Sequence, residues 1–147
     1  MAGLNAWAPR VLSLLRIIAG LLFMEHGLSK FFGFPTSFPL PGPLPPLLMA
    51  AGTIELVAGG LITVGLFTRL AAFIASGEMA AAYFIQHAPK SFWPLANMGE
   101  AAILFCFVFF YLVFAGPGPG PWSLDALLQR KPMANSTRVG GNDGSDT

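Results

Sequence analysis

The sequence predicts an all-α integral membrane protein, a four-helix bundle with both termini in the cytoplasm. Three observations carry this expectation. The 147 residues are 54% hydrophobic and 10% charged, with a mean hydropathy of +0.65, where a soluble domain has about 25% charged residues. Four apolar stretches approach the ~20 residues that a crossing helix needs. The basic residues are lopsided: Arg10, Arg16, Arg69, Arg130, Lys131 and Arg138 fall on the side of the termini, and only Lys30 and Lys90 on the other, the bias that holds an end in the cytoplasm. A net charge of +1 offers no field for nucleic acid. The single cysteine, Cys106, excludes an internal disulfide framework and any CxxC redox or zinc motif. Within LFCFVFFY it reads as a buried inert thiol.

The first helix runs from about Val11 to Phe32. It lacks a small-residue cleavage site and continues into GLSKFFGF, so it reads as a span and not as a cleaved signal peptide. FPTSFPLPGPLPP follows, with six prolines from Pro35 to Pro46; each fixes φ and removes a donor, which makes a semi-rigid outer loop. The second helix spans about Leu47 to Phe67. The short connection GLFTRL joins it as a tight antiparallel hairpin to the third, about Leu70 to His87. HAPKSFWP then sets Phe92 and Trp93 at headgroup level. The fourth helix covers about Leu95 to Ala115 and ends at GPGPGPW. SLDALLQR reads as a short amphipathic helix within about residues 122–130, with Ser123 as N-cap and Asp125 in its first turn. Residues 1–128 thus form one domain, and 131–147, small and polar, a disordered tail.

Each expected span carries one glutamate: Glu25, Glu55, Glu78 and Glu100. An intramembrane carboxylate costs at least ~2.5 kcal/mol on insertion scales, so such groups face the interior and mark function. Counted from the outer ends, at a rise of 1.5 Å per residue, all four share a layer roughly 7–15 Å below the outer boundary. Asn97 lies one turn before Glu100 on the same face of a continuous helix. His26 and Lys30, spaced i, i+4, share a face. His87 closes helix three, nine residues from Glu78 and half a turn off its face. Gly52 and Gly59 flank Glu55, and Ala71, Ala75, Ala81 and Ala82 line the side of Glu78; small residues allow close backbone approach or leave room for a ligand. Two readings stay open. Carboxylates paired with Lys30, Lys90 or a charged histidine can simply brace the helices, but four of them exceed the nearby cations, which favours a ligand or proton site. Three chemistries fit such a layer. A quinone headgroup needs hydrogen-bond partners, a proton carrier and an apolar channel. A dimetal carboxylate site wants Glu-x-x-His on two helices, which this chain lacks. A haem clamped by His26 and His87 is the third.

At these residues the sequence resembles the DoxX family of small four-helix bacterial membrane proteins. The likeness runs from Arg16 to Leu127 through R-x3-G-L-x-F-x2-H-G-x2-K-F-F-G, E-L-x2-G-x-L-x3-G-L-F-T-R-x-A, H-x-P-K-x-F and a closing GPGPGPWSLDAL, which carries one Gly-Pro unit more than the family's usual turn. Glu78 resembles a subgroup's feature more than the family's. The resemblance implies a bacterial inner-membrane, multi-pass protein linked to quinone-dependent electron transfer, with a soluble or membrane oxidoreductase as partner. Within the motif, Arg16 can snorkel to the headgroups or cap helix two near Thr68, Arg69 can bond the last carbonyls of helix two, and Gly59, Gly60 and Gly65 let helices two and three approach.

The expected function is therefore quinone-linked. Glu55 and Glu100, with Glu25 and Glu78 in the same layer, handle protons; His26 and Lys30, with Asn97 and His87, hold the headgroup. A non-catalytic anchor that recruits a soluble enzyme through residues 122–130 is the second reading. A transporter is the third, disfavoured because the inner half offers only Arg16 and hydroxyls such as Thr63 for a polar path. A homo-oligomer is plausible for four such short helices.

Overall fold

The computed structural model describes residues 2–37, 39, 42–114 and 118–129. Among them the fold is all α, in six helices with no strand: α1 Ala2–Phe32, α2 Pro46–Val64, α3 Thr68–Ala82, α4 Pro94–Asn97, α5 Glu100–Phe114 and α6 Leu124–Leu128. A π-helical turn, Tyr83–His87, continues α3. Two segments, Asn5–Phe32 and Pro46–Val64, are long and apolar enough to cross a membrane, and Glu100–Phe114 is a shorter apolar helix. The expected disordered tail, together with Arg130, Lys131 and Arg138, lies outside the described residues, as do parts of the proline-rich loop.

α1 and α2 run antiparallel at close quarters, and glycine is the reason. A Cβ at Gly27 would lie 2.8 Å from the Gly52 carbonyl oxygen, and one at Gly59 would lie 2.8 Å from the Met24 backbone nitrogen. Gly20 and Gly27 on one helix thus meet Gly52 and Gly59 on the other at a seven-residue repeat, two turns of helix, so the backbones touch. This corrects the sequence expectation that Gly59, Gly60 and Gly65 serve the α2–α3 contact. Gly59 faces α1. Gly65 adopts a left-handed conformation (φ 73°) at the end of α2, where the Leu66 amide reaches back to Leu61 at 3.0 Å, the arrangement that ends helices at glycine. A Cβ on it would strike Ser123. α3 and α5 also run antiparallel, with Ser76 Oγ donating to the Cys106 carbonyl at 2.9 Å. Cys106 is half-buried there, not fully buried. The core centres on Phe23 and Phe109, edge to face at 4.8 Å, with Phe105 stacked on Phe109.

Two element boundaries and one tertiary tie differ from the sequence reading. α1 begins at Ala2 and carries Pro9 inside it; Arg10, over the Trp7 ring at 5.2 Å, lies on this extension. The fourth span is broken at Met98, whose φ is 59°. There the Asn97 side-chain oxygen accepts the Gly99 amide at 2.8 Å, and Gly99 lies so close to the Tyr83 ring that a Cβ would come within 2.9 Å of it. An asparagine that bonds its own backbone competes with helix. The C-terminal segment is also tied back into the protein.

That tie is made by Arg16, which is fully buried. Its guanidinium donates to the Ile62 and Thr63 carbonyls at the end of α2, the latter at 2.6 Å, and to the Pro119 (2.9 Å) and Trp122 carbonyls. Of the two roles expected for Arg16, the cap of α2 is the one realised, and snorkelling is not. A planar guanidinium with five donors suits such a cluster of acceptors. α6 closes the same end. Ser123 caps it, accepting the Ala126 amide at 3.1 Å, as expected from sequence. Asp125 does more than favour its own helix: its carboxylate accepts the Phe67 and Thr68 amides, each at 2.9 Å, and caps α3. Burial pushes the Asp125 carboxyl up, but these two amides and the nearby Arg16 charge outweigh it and hold the group below the usual aspartate range.

Candidate functional site

At the opposite end, the helix ends converge on a cavity of about 490 Å³. α1 brings His26 and Lys30, α2 brings Glu55, and α3 with its π turn brings Glu78, Gln86 and His87; Lys90 and the apolar side chains of Leu48, Met79 and Phe105 complete the wall. The α1–α2 glycine contact places Lys30 over Glu55, and the ammonium bonds both carboxylate oxygens at 2.6 and 2.5 Å. The two side chains are 8% and 3% exposed, so the pair is buried. Glu78 differs: its Oε2 is buried with no hydrogen-bond partner among the described residues. A buried orphan acceptor is uncommon and marks a place where a ligand or water completes the structure.

Both histidines are oriented through Nδ1. His26 Nδ1 lies 2.8 Å from the Leu22 carbonyl, and His87 Nδ1 lies 2.9 Å from the Asn97 carbonyl. A carbonyl only accepts, so each Nδ1 carries a proton, and in the neutral form of the ring Nε2 is the acceptor or ligand. The His26 ring packs edge-on to Phe105 at 5.9 Å, and His87 stacks on Tyr83 at 6.3 Å. Tyr83 is held in turn by donating to the Phe92 carbonyl.

Five of the residues singled out in the sequence therefore share one space: His26, Lys30, Glu55, Glu78 and His87. The other three do not line it. Asn97 is buried, but its amide is committed to the Ser91 carbonyl at 2.6 Å, the Tyr83 hydroxyl and the Gly99 amide, so it braces the loop that holds His87. The break at Met98 removes the continuous face it was expected to share with Glu100, which is exposed in the first turn of α5. Glu25 is half-buried on α1 beside the cavity-lining His26.

His87 lines the cavity although helical counting set it half a turn from Glu78. The π turn is the cause: its wider winding lags an α-helix by part of a turn over five residues, which rotates His87 toward the face of Glu78. Gln86 is a wall residue that sequence reasoning missed; its only signal was its place beside His87. Among the described residues no three His, Cys, Asp or Glu side chains are grouped as metal ligands would be.

The chain is similar to known membrane proteins of one family. The family profile described as DoxX matches residues 11–88. An uncharacterized protein of Haemophilus influenzae is 44% identical over 123 residues, covering 80% of this chain and 92% of the relative. An uncharacterized membrane protein of Mycobacterium tuberculosis is 27% identical over 153 residues, covering 92% of this chain and 91% of the relative. The Bacillus subtilis protein named "Putative oxidoreductase CatD" is 43% identical over 60 residues, 39% of this chain and 45% of that one. No solved structure matches.

Proposed function

This chain belongs to the DoxX family, and on that premise we propose that it is a multi-pass protein of the bacterial inner membrane that binds a quinone or quinol in its polar cavity and serves an oxidoreductase as membrane subunit or partner. One observation carries the reading: the orphan Glu78 oxygen, two histidines presenting Nε2 and the Lys30–Glu55 pair share a single cavity with apolar walls. A quinol offers two hydroxyl donors, which suit acceptors at His26 Nε2, His87 Nε2 and the Glu78 carboxylate. Lys30, anchored on Glu55, donates to a ring oxygen. Oxidation of the quinol releases two protons and two electrons. The imidazoles and Glu78 are the groups that would accept the protons, and the electrons would need a two-electron acceptor on the partner oxidoreductase. In this arrangement Glu78, one of the four glutamates expected to handle protons, keeps that role, and the exposed Glu100 loses it. The name of the Bacillus subtilis relative is in keeping with a redox role.

A four-span placement with cytoplasmic termini accords with two aromatic levels. Trp7 and Trp122 lie exposed at the Arg16 end, and Phe92 and Trp93 at the cavity end, the positions aromatics take at the two headgroup regions. From Arg10 to Lys30, α1 rises about 30 Å at 1.5 Å per residue, the thickness of a hydrocarbon core. At α6, Asp125 and Ser123 are turned inward, on α3 and on α6's own cap, while Trp122, Leu127 and Leu128 are exposed and leave an apolar surface for the recruiting-anchor reading.

The test is an oxidised-minus-reduced absorption spectrum of protein purified in mild detergent from a quinone-containing membrane, paired with mass spectrometry of its organic extract. A quinone band that is lost in His26→Ala/His87→Ala supports the reading. A haem Soret change, or a quinone-free extract, overturns it.

A further inference from the structure

Two apolar hollows lie along the seam between α2 and α3. One, of about 240 Å³, opens beside Glu78; the other, of about 300 Å³, lies nearer the Gly65 turn. They are neighbours that share walls. Leu48, Ala51, Glu78, Ala82 and Gln86 line both the polar cavity and the first hollow. Ile54 and Ile74 line both hollows. The three hollows therefore line up from the cavity, past the Glu78 carboxylate, along α2 and α3 to Phe67. From Glu78 to Phe67 this is about 16 Å at 1.5 Å per residue. The one hydroxyl on the second hollow, Thr53, already donates to the Met49 carbonyl at 2.8 Å. The packing explains why the seam is open: α1 and α2 are drawn together by four glycines, whereas no glycine of α2 or α3 is in close contact across this seam.

We infer that the α2–α3 seam is the tail groove of this site, and that its ligand is a single-chain amphiphile: a ring bearing hydroxyl or carbonyl oxygens in the cavity, with one alkyl or prenyl chain running from Glu78 toward Phe67. This rests on the quinol reading above and adds the route and the tail. A polar head and an apolar chain need a junction, and Glu78 stands at it, on the wall shared by the polar and the apolar space. One seam takes one chain, which distinguishes this ligand from a two-chain phospholipid. Lipid is as apolar as the groove, so the chain gains little by leaving the bilayer. The groove instead fixes the direction from which the head enters, and its blockage acts through sterics.

The experiment uses the full chain in detergent, with decylubiquinol and its tail-less headgroup, 2,3-dimethoxy-5-methylhydroquinone, as probes. Ala50→Trp and Ala81→Trp fill the groove mouth from either wall, and both alanines are exposed, so the fold tolerates the bulk. The readout is the ratio of tailed to tail-less affinity. A tryptophan standing in the groove clashes with the tail and weakens its binding by about tenfold or more, so each variant lowers the ratio by about that factor relative to wild type. Leu104→Trp, on the exposed face of α5 away from the groove, keeps the wild-type ratio. Unshifted ratios in both alanine variants overturn the groove while leaving the quinol reading in place. Binding of neither probe by wild type overturns both, and a co-purified two-chain phospholipid that decylubiquinol does not displace overturns the groove.

Discussion

Replacing Lys30 by methionine keeps most of the side-chain length and removes the charge that faces Glu55. The pair is buried, 8% and 3% exposed, with both carboxylate oxygens bonded to one ammonium. Removing one partner of such a pair costs about 3–5 kcal/mol, because the other is left buried and uncompensated, while replacing both by apolar groups is close to neutral. Within a membrane the single hydrogen bonds are weak, about 0.6 kcal/mol on average. The loss therefore comes from the stranded charge, which costs ~2.5 kcal/mol or more there. Lys30→Met and Glu55→Leu should each destabilise the protein by about 3 kcal/mol, and Lys30→Met/Glu55→Leu by about 1 kcal/mol or less. Reversible unfolding in SDS, followed by helical circular dichroism, measures all three. The folded double variant then separates the two roles left open by the sequence: if the pair serves the ligand, the variant folds and fails to bind decylubiquinol. Additive losses in the double variant would refute the stranded-charge argument. Wild-type quinol affinity in the folded double variant would reduce the pair to bracing.

Three further outcomes are expected. Gly59→Ala forces a Cβ to 2.8 Å from the Met24 backbone and should cost about 1–3 kcal/mol, while Gly77→Ala, with nothing within 4 Å, should stabilise its helix by roughly 0.5–1 kcal/mol in the same SDS titration. Asp125→Ala removes the cap of α3 and should cost about 1 kcal/mol, with faster hydrogen exchange at the Phe67 and Thr68 amides. Because the folded Asp125 titrates below its unfolded value of about 3.9, its contribution is complete above that pH and is lost on further acidification, so the same amides should lose protection only below about pH 4. Truncation after Pro121 deletes Asp125 and the Trp122 carbonyl that accepts from Arg16; the α2–α3 turn should loosen, which thermal unfolding detects, so this truncation does not separate a recruiting role from a membrane-embedded one.

Much of this arrangement was legible in the sequence, and the misses have physical causes. Apolar length and composition gave the helical segments, and Lys30, Glu55 and His26 stood out because ionisable groups in apolar runs need partners. The partner of Lys30 could not be read, since it depends on which helix the glycines of α1 and α2 draw together. His87 was misplaced because 3.6 residues per turn does not hold through the π turn. Glu100 was grouped with Asn97 because nothing in the letters NMGE announces that Asn97 bonds Gly99 and breaks the helix. Asp125 was assigned a local role, and Arg16 was read as a cap of helix two but not as the tie to the Pro119 and Trp122 carbonyls; the partners that were missed lie about 50 to 100 residues away in the chain, a distance that local pattern does not reach.

The central claim is that Glu78 completes a quinol site, and equilibrium titration of wild type and Glu78→Gln with decylubiquinol tests it most directly. Glutamine keeps the size and removes the carboxyl group, and leaving a buried hydrogen-bond partner unsatisfied costs about 1–3 kcal/mol. The account predicts saturable binding to wild type that weakens by about tenfold or more in Glu78→Gln. Equal affinity in the two proteins, or no saturable binding to wild type, would contradict it.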